Sequence, residues 1–168
     1  MAAQQLRQQA AQLLAERDAL AARCAAEGVL DEQFAQLLSL QDETNPDFVL
    51  EVVTLYFDDS AQKAQRIAAL VGLDPSTGGG GGTEADFQAL DALAHQFKGS
   101  SASLGARQVA LACSSLRDAC QARDLAAAQR GAHEVASALA AARARLEAVA
   151  ALERQRKQVE QQAAAAGG

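Results

Sequence analysis

The chain has 168 residues, a mass of 17.4 kDa, a formal charge of −6 and a pI near 4.9. Its 42 alanines outnumber the 36 Leu, Ile, Val and Phe together, and only nine are Val and one Ile, which excludes a β-sandwich or barrel and favours an all-helical fold. The acidic balance, with no Trp and one Tyr, excludes a nonspecific nucleic-acid binder, which needs a basic footprint.

No stretch of about 18 apolar residues is present to predict a membrane span, and the polar start 1–7 lacks the apolar run of a signal peptide. Three cysteines, Cys24, Cys113 and Cys120, form an odd, sparse set. They read as reduced thiols of a cytosolic or nuclear protein, not as a disulfide framework.

Leu6, Ala10, Leu13, Leu20 and Cys24 trace a helical stripe, interrupted by Arg17, over about 2–26. Asp31 is placed to cap a short second helix to about residue 40 that carries Phe34, Leu37, Leu38 and Leu40. Asn45-Pro46-Asp47 predicts the next start, with Asn45 accepting from free amides and Pro46 in the first turn. That helix, about 46–71, presents Phe48, Val52, Leu55, Tyr56, Ile67 and Leu70 inward.

Five consecutive glycines, Gly78 to Gly82, make 72–82 read as a flexible loop. It has no lysine, so the Gly-Lys-Ser/Thr end of a phosphate-cradling loop is missing. Thr83 and Asp86 are spaced as a capping box, opening a helix to about 104 with Phe87, Leu90, Ala94, Phe97, Ser101 and Leu104 inward. Two more helices follow, about 107–121 and 124–154. The whole predicts one domain over 1–154, an antiparallel four-helix bundle with two additional N-terminal helices. Residues 155–168 are expected to be a flexible tail.

His95 stands about 130° from the centre of its helix's inward stripe, so its imidazole points outward. Asp91, Lys98, Gly99 and Ala102 share that face. A mid-helix glycine costs about 1 kcal/mol relative to alanine. Clearance for a bulky group one turn from the ring is a gain that fits. Neutral imidazole is a nucleophile, and Lys98 supplies positive charge for an anion placed on it. Nucleophile, clearance and countercharge suit a carrier of a phosphoryl group, although a lone exposed helix histidine is more often a solvated residue.

The string His95-Gln96-Phe97-Lys98-Gly99-Ser100-Ser101-Ala102-Ser103-Leu104-Gly105-Ala106 resembles the signature of histidine-containing phosphotransfer proteins, particularly the plant type. Leu30-Asp31-Glu32-Gln33-Phe34, Gln41 to Val49, Val109, Ala112-Cys113, Leu116-Arg117 and Cys120 extend the likeness over about 31–152. The glycine-rich segment is longer than the family usually shows, and Arg107-Gln108 reverses the usual order. The resemblance implies a carrier that takes a phosphoryl group from a receiver-domain aspartate of a hybrid histidine kinase. It then passes the group to a response-regulator aspartate. His95 matches the phosphorylated histidine, Lys98 the lysine beside it and Gly99 the glycine that gives access. Gln96 and Ser100 match polar family positions. Some relatives carry Asn in place of the histidine and hold no phosphate. The resemblance further implies cytokinin signalling among the inputs, a cytoplasmic and nuclear location, and a monomer.

The chain shows no nucleotide-binding loop and no acidic trio for Mg²⁺. It is therefore expected to be a carrier without autonomous kinase activity and without a cofactor, Mg²⁺ being needed only on the partner receiver domain. Phe34, Leu37, Leu38 and Ala102 are expected at the partner-binding surface. Anchoring the short helix to the bundle is an equal use for its three apolar residues. His133 reads as a flank residue. Cys113 and Cys120, seven apart on a core stripe, read as packing residues, so no metal site is expected. Arg143, Arg145, Arg154, Arg156 and Lys157 interleave with Glu147, Glu153 and Glu160 as a solvated face. A different class of function, a non-phosphorylated helical adaptor or scaffold binding receiver domains, remains open.

Overall fold

The computed structural model describes residues 2–78 and 82–167. Among them lie six α-helices and no strand: α1 Ala2–Ala26, α2 Glu32–Ser39, α3 Phe48–Leu70, α4 Glu84–Leu104, α5 Arg107–Gln121 and α6 Leu125–Gly167. α3 packs against α4 and α6, α4 against α5, and α5 against α6, closing a ring of four helices. α1 lies along α6, and α2 touches α1 and α4.

The core of the ring is what the three-and-four spacing of apolar residues demands. Leu90, Ala94, Phe97 and Leu104 of α4 are buried with Val109 and Leu116 of α5 and Val135, Leu139 and Leu146 of α6. Each large apolar side chain fully removed from water contributes about 1.5–3 kcal/mol. The three cysteines are buried and unpaired.

Local chemistry fixes the ends of α2 and α4. Asp31 accepts from Gln33 N–H and caps α2. The Thr83 hydroxyl accepts from Asp86 N–H, and Asp86 accepts in return from Thr83 N–H, a complete capping box. At the other end of α4, Gly105 adopts φ +93°, and a Cβ there would lie 2.5 Å from Phe34 N and 2.6 Å from Asp31 Oδ1. Its carbonyl accepts from Asp31 N–H at 2.9 Å. Only glycine lets the C-terminus of the histidine helix dock on the start of α2.

Four expectations change. First, α3 begins at Phe48, not at Pro46, and Asn45 does not cap it. The Asn45 side chain accepts from Asp42 N–H and donates to the Leu40 carbonyl, stabilising the preceding turn. Gln41 takes over the capping role, its Oε1 accepting from Val49 N–H at 3.0 Å. Second, Leu55 is 68% exposed, and Val49 and Val53 join the expected Tyr56 and Ile67 on the core face of α3. Third, residues 155–167 are helical and not a loose tail, because Val159 and Ala163 are buried and Val159 packs with Ala10 and Leu13 of α1.

Fourth, Arg17 does not interrupt the α1 stripe; it is buried at 5% exposure beside Glu153 at 2%. Glu153 accepts from Arg17 at 2.6 Å, from Gln41 at 2.9 Å and from Arg156 at 2.9 Å. Burial would raise its pKa, but the hydrogen bonds from Arg156, Gln41 and Arg17 outweigh burial and hold it below the ordinary carboxyl value. Gln41 thus joins the buried carboxylate of α6 to the first turn of α3. The supposed solvated face is, at Glu153 and Arg156, the ionic seam between α1 and α6. Of the glycine-rich segment, Gly79 to Gly81 lie outside the described residues. Before them, Pro75–Thr77 forms a 3₁₀ turn capped by Asp74.

Candidate functional site

α4 carries the site because its inward stripe locks the helix into the ring while its opposite face meets solvent. His95 is exposed there. With about 100° per residue, Ala102, Asp91 and Lys98 lie about 20°, 40° and 60° to one side of it, and Gly99, Ser103 and Gln96 about 40°, 80° and 100° to the other. All of these but the half-buried Asp91 are exposed.

On the first side the ring meets α5. Arg117 Nη1 donates to His95 Nδ1 at 3.1 Å. The same guanidinium holds both oxygens of Asp91, Nε to Oδ1 at 2.9 Å and Nη2 to Oδ2 at 3.4 Å. The hydrogen bond to Asp91 is the main reason the Arg117 pKa is raised. An arginine has donors only, so Nδ1 is the acceptor, and Nε2 has no hydrogen-bond partner among the described residues. Lys98 makes no ion pair or hydrogen bond among the described residues, leaving its charge available to an incoming anion. A Cβ built on Gly99 would meet nothing within 4 Å. Nothing among the described residues requires glycine at that position.

On the second side lies an open apolar groove between α2, α3 and α4, lined by Leu37, Val52, Leu55, Tyr56, Ser103 and Leu104. Beneath it, the Tyr56 hydroxyl and Ser101 Oγ are buried and hydrogen-bonded at 2.9 Å, tying α3 to the histidine helix. Burial pushes the Tyr56 phenol up to about 12.

The candidate residues do not all fall in one place. His95, Gln96, Lys98, Gly99 and Ala102 share the exposed face. The Ser100 hydroxyl turns back to the Phe97 carbonyl at 3.3 Å and lies at the groove. Phe34 and Leu38, expected at a partner-binding surface, are core residues at 2% and 4% exposure and offer no such surface. Of the three α2 residues, only Leu37 reaches the groove. A helix of eight residues packed on two neighbours must bury one face, and Phe34 and Leu38, four apart, are that face.

Arg117 is the residue in contact with His95 that sequence reasoning did not assign. Asp91, one turn before His95, was the available signal, but its meaning depends on which α5 residue packs opposite it. Burial drives the Cys113 and Cys120 thiols up to about 12 and 11, so both are neutral packing groups. Among the described residues no cluster of His, Cys, Asp or Glu is suited to a metal ion. His133 is exposed on α6. No helix among the described residues is long and apolar enough to cross a membrane.

Comparison with known proteins finds relatives in sequence and in fold. The Hpt domain family model matches residues 51–165. Histidine-containing phosphotransfer protein 1 of Arabidopsis thaliana is 40% identical over 129 residues, 77% of this chain and 78% of that protein. Histidine-containing phosphotransfer protein 1 of Oryza sativa subsp. japonica is 43% identical over 114 residues, 68% of this chain and 71% of its own length. Pseudo histidine-containing phosphotransfer protein 2 of the same rice is also similar, at 36% over 129 residues, covering 77% of this chain and 80% of that one. Among solved structures, the histidine-containing phosphotransfer protein MtHPt2 of Medicago truncatula matches with a TM-score of 0.72 at 33% identity. That match covers 87% of this chain and 93% of the other. The maize protein ZmHP2 matches with a TM-score of 0.71 at 35% identity, covering 85% and 98%. The fold, the outward histidine on α4 and these relatives agree, and the chain belongs to the plant-type histidine-containing phosphotransfer (HPt) family.

Proposed function

We propose that His95 accepts a phosphoryl group from the receiver-domain aspartate of a hybrid histidine kinase and passes it to an aspartate on a response regulator. Family membership already assigns a phosphorelay role in two-component signalling. The observation that carries the finer reading is the solvent-facing imidazole of His95, with one ring nitrogen unoccupied and the uncommitted charge of Lys98 one turn away. Because pseudo members are among the relatives, the presence of a histidine at this position is what supports a competent carrier over the adaptor alternative.

Acceptance forms an Nε2–P bond and breaks the P–O bond of the aspartyl phosphate. The carboxylate leaves with the electron pair, and the ring releases one proton. The chain needs to supply only the nucleophile and its orientation, which is where positioning contributes most. The receiver would supply its own aspartate and Mg²⁺, so the carrier has no kinase activity of its own and no cofactor.

The groove beside Ser103 is the docking surface in this reading. Leu55, 68% exposed, is available to an apolar partner residue. The ring of α3, α4, α5 and α6 is read as an antiparallel four-helix bundle that holds α4 rigid. A monomer acting in cytoplasm and nucleus, cytokinin signalling included, fits the same reading.

The test is phosphotransfer from a phosphorylated receiver domain. Wild type takes up acid-labile, alkali-stable label, and His95→Gln takes up none. Equal labelling of both would remove the assignment to His95. Absence of label on wild type from several competent receivers would favour the adaptor.

A further inference from the structure

We propose that Arg117, held by Asp91, is a positioning residue that keeps Nδ1 of His95 free of a proton and thereby prolongs the life of a phosphoryl group carried on Nε2. The proposal rests on the carrier reading above. It starts from one contact, the 3.1 Å approach of Arg117 Nη1 to His95 Nδ1. A guanidinium can only donate, so Nδ1 accepts, and a neutral ring in this contact bears its single proton on Nε2. Arg117 is not free to swing away, because Asp91 holds it through Nε and Nη2. Of the other charged groups near this pair, Lys98 lies one turn on along α4, and Asp118 of α5 acts on Arg117. Among the described residues neither bonds to the imidazole. The Cys113 and Cys120 thiols of α5 are buried and neutral.

The contact has opposite consequences before and after transfer. Before it, Nε2 carries the proton and has no lone pair to attack phosphorus. A docking receiver must part Nδ1 from Arg117, so that the ring proton relocates through solvent to Nδ1 and frees Nε2. The Nε2–P bond then forms, the P–O bond breaks and the receiver carboxylate departs. The Nδ1 proton is released to solvent, and Nδ1 again accepts from Arg117.

After transfer, loss of the phosphoryl group to water is fast only when Nδ1 is protonated, because the ring then leaves as neutral imidazole and not as imidazolate. A donor already seated on Nδ1 opposes that protonation. Onward donation to a regulator reverses the sequence: the contact opens, Nδ1 gains a proton and neutral imidazole leaves. Arg117 therefore holds the group until a partner displaces it.

The experiment reads the ring nitrogens first, without any phosphoryl donor. In ¹⁵N-labelled unphosphorylated protein, wild type should show the Nε2–H tautomer predominating. Arg117→Met should show both tautomers, and Arg117→Lys should retain part of the preference. The same tautomer in wild type and Arg117→Met overturns the proposal. The protein is then loaded with phosphoramidate, a small donor that bypasses receivers. Phosphohistidine should decay about three- to tenfold faster near neutral pH in Arg117→Met and Asp91→Asn, and the rates should converge as the medium is made acid. Equal lifetimes near neutral pH in folded variants, checked by circular dichroism, also overturn it. Failure of receivers to label His95 counts against the carrier reading instead, and the ring measurement stands apart from that result.

Discussion

Arg17 and Glu153 meet at 2.6 Å with side chains 6% and 2% exposed, whereas Arg117 and Asp91 meet at 2.9 Å with side chains 28% and 33% exposed. The two pairs use the same chemistry at different depths. In the first, water is excluded, every carboxylate oxygen of Glu153 is taken, and three helices are joined. In the second, water competes, the pair adds little to stability, and its spare Nη1 reaches an imidazole. Burial turns an arginine–carboxylate pair into a structural joint, and partial exposure leaves it free to orient a reacting group.

Removing one partner of the deep pair should have the largest effect on the fold. Glu153→Ala leaves the buried Arg17 with only the largely exposed Asp18 as its countercharge and should cost up to about 3–5 kcal/mol, a fall in melting temperature of up to roughly 20 °C. Transfer to His95, measured well below that temperature, should be unchanged, since the seam lies far along α6 from the histidine face. A transfer defect in the folded variant would show that the two regions are coupled. The same pair has an acid signature. Glu153 titrates below its ordinary value of 4.5 in the folded protein. Its contribution is complete above about pH 4.5 and is lost as pH falls through the lower folded value. Thermal unfolding on lowering pH should therefore weaken wild type more steeply than Glu153→Gln.

The histidine face should show the reverse pattern, with large effects on transfer and small ones on stability. Gly99→Gln should slow transfer by roughly ten- to hundredfold by crowding the approach to the ring. It should leave melting unchanged or raise it slightly, since Gln suits a helix interior better by up to about 1 kcal/mol. Unchanged transfer would remove the explanation of that glycine. The smallest expected change is the stability of Asp91→Asn, within about 1 kcal/mol of wild type. A loss as large as that of Glu153→Ala would make the exposed pair a structural joint as well.

The same contrast explains what could be read from the amino-acid order. The Thr83–Asp86 box and the outward direction of His95 are decided within a few neighbouring residues, and the sequence analysis found them. Arg17 looked like an interruption because its partner Glu153 is 136 residues away. Residues 155–167 looked loose for a similar reason: Val159 and Ala163 are sparse on their own and become a face only when α1 lies beside them. Leu55 was counted toward the core because an apolar residue at helical spacing does not declare which edge of the stripe it occupies. Arg117 required knowing that α5 sets it opposite Asp91. In each case the missing information was a pairing of helices, not a property of one helix.

The most direct measurement of the central claim is phosphorus and nitrogen NMR of the intact protein after incubation with a phosphorylated receiver domain. The account predicts one phosphoramidate resonance, coupled to Nε2 of His95 and absent from His95→Gln. A phosphoramidate signal on His133, or one that persists in His95→Gln, would contradict it.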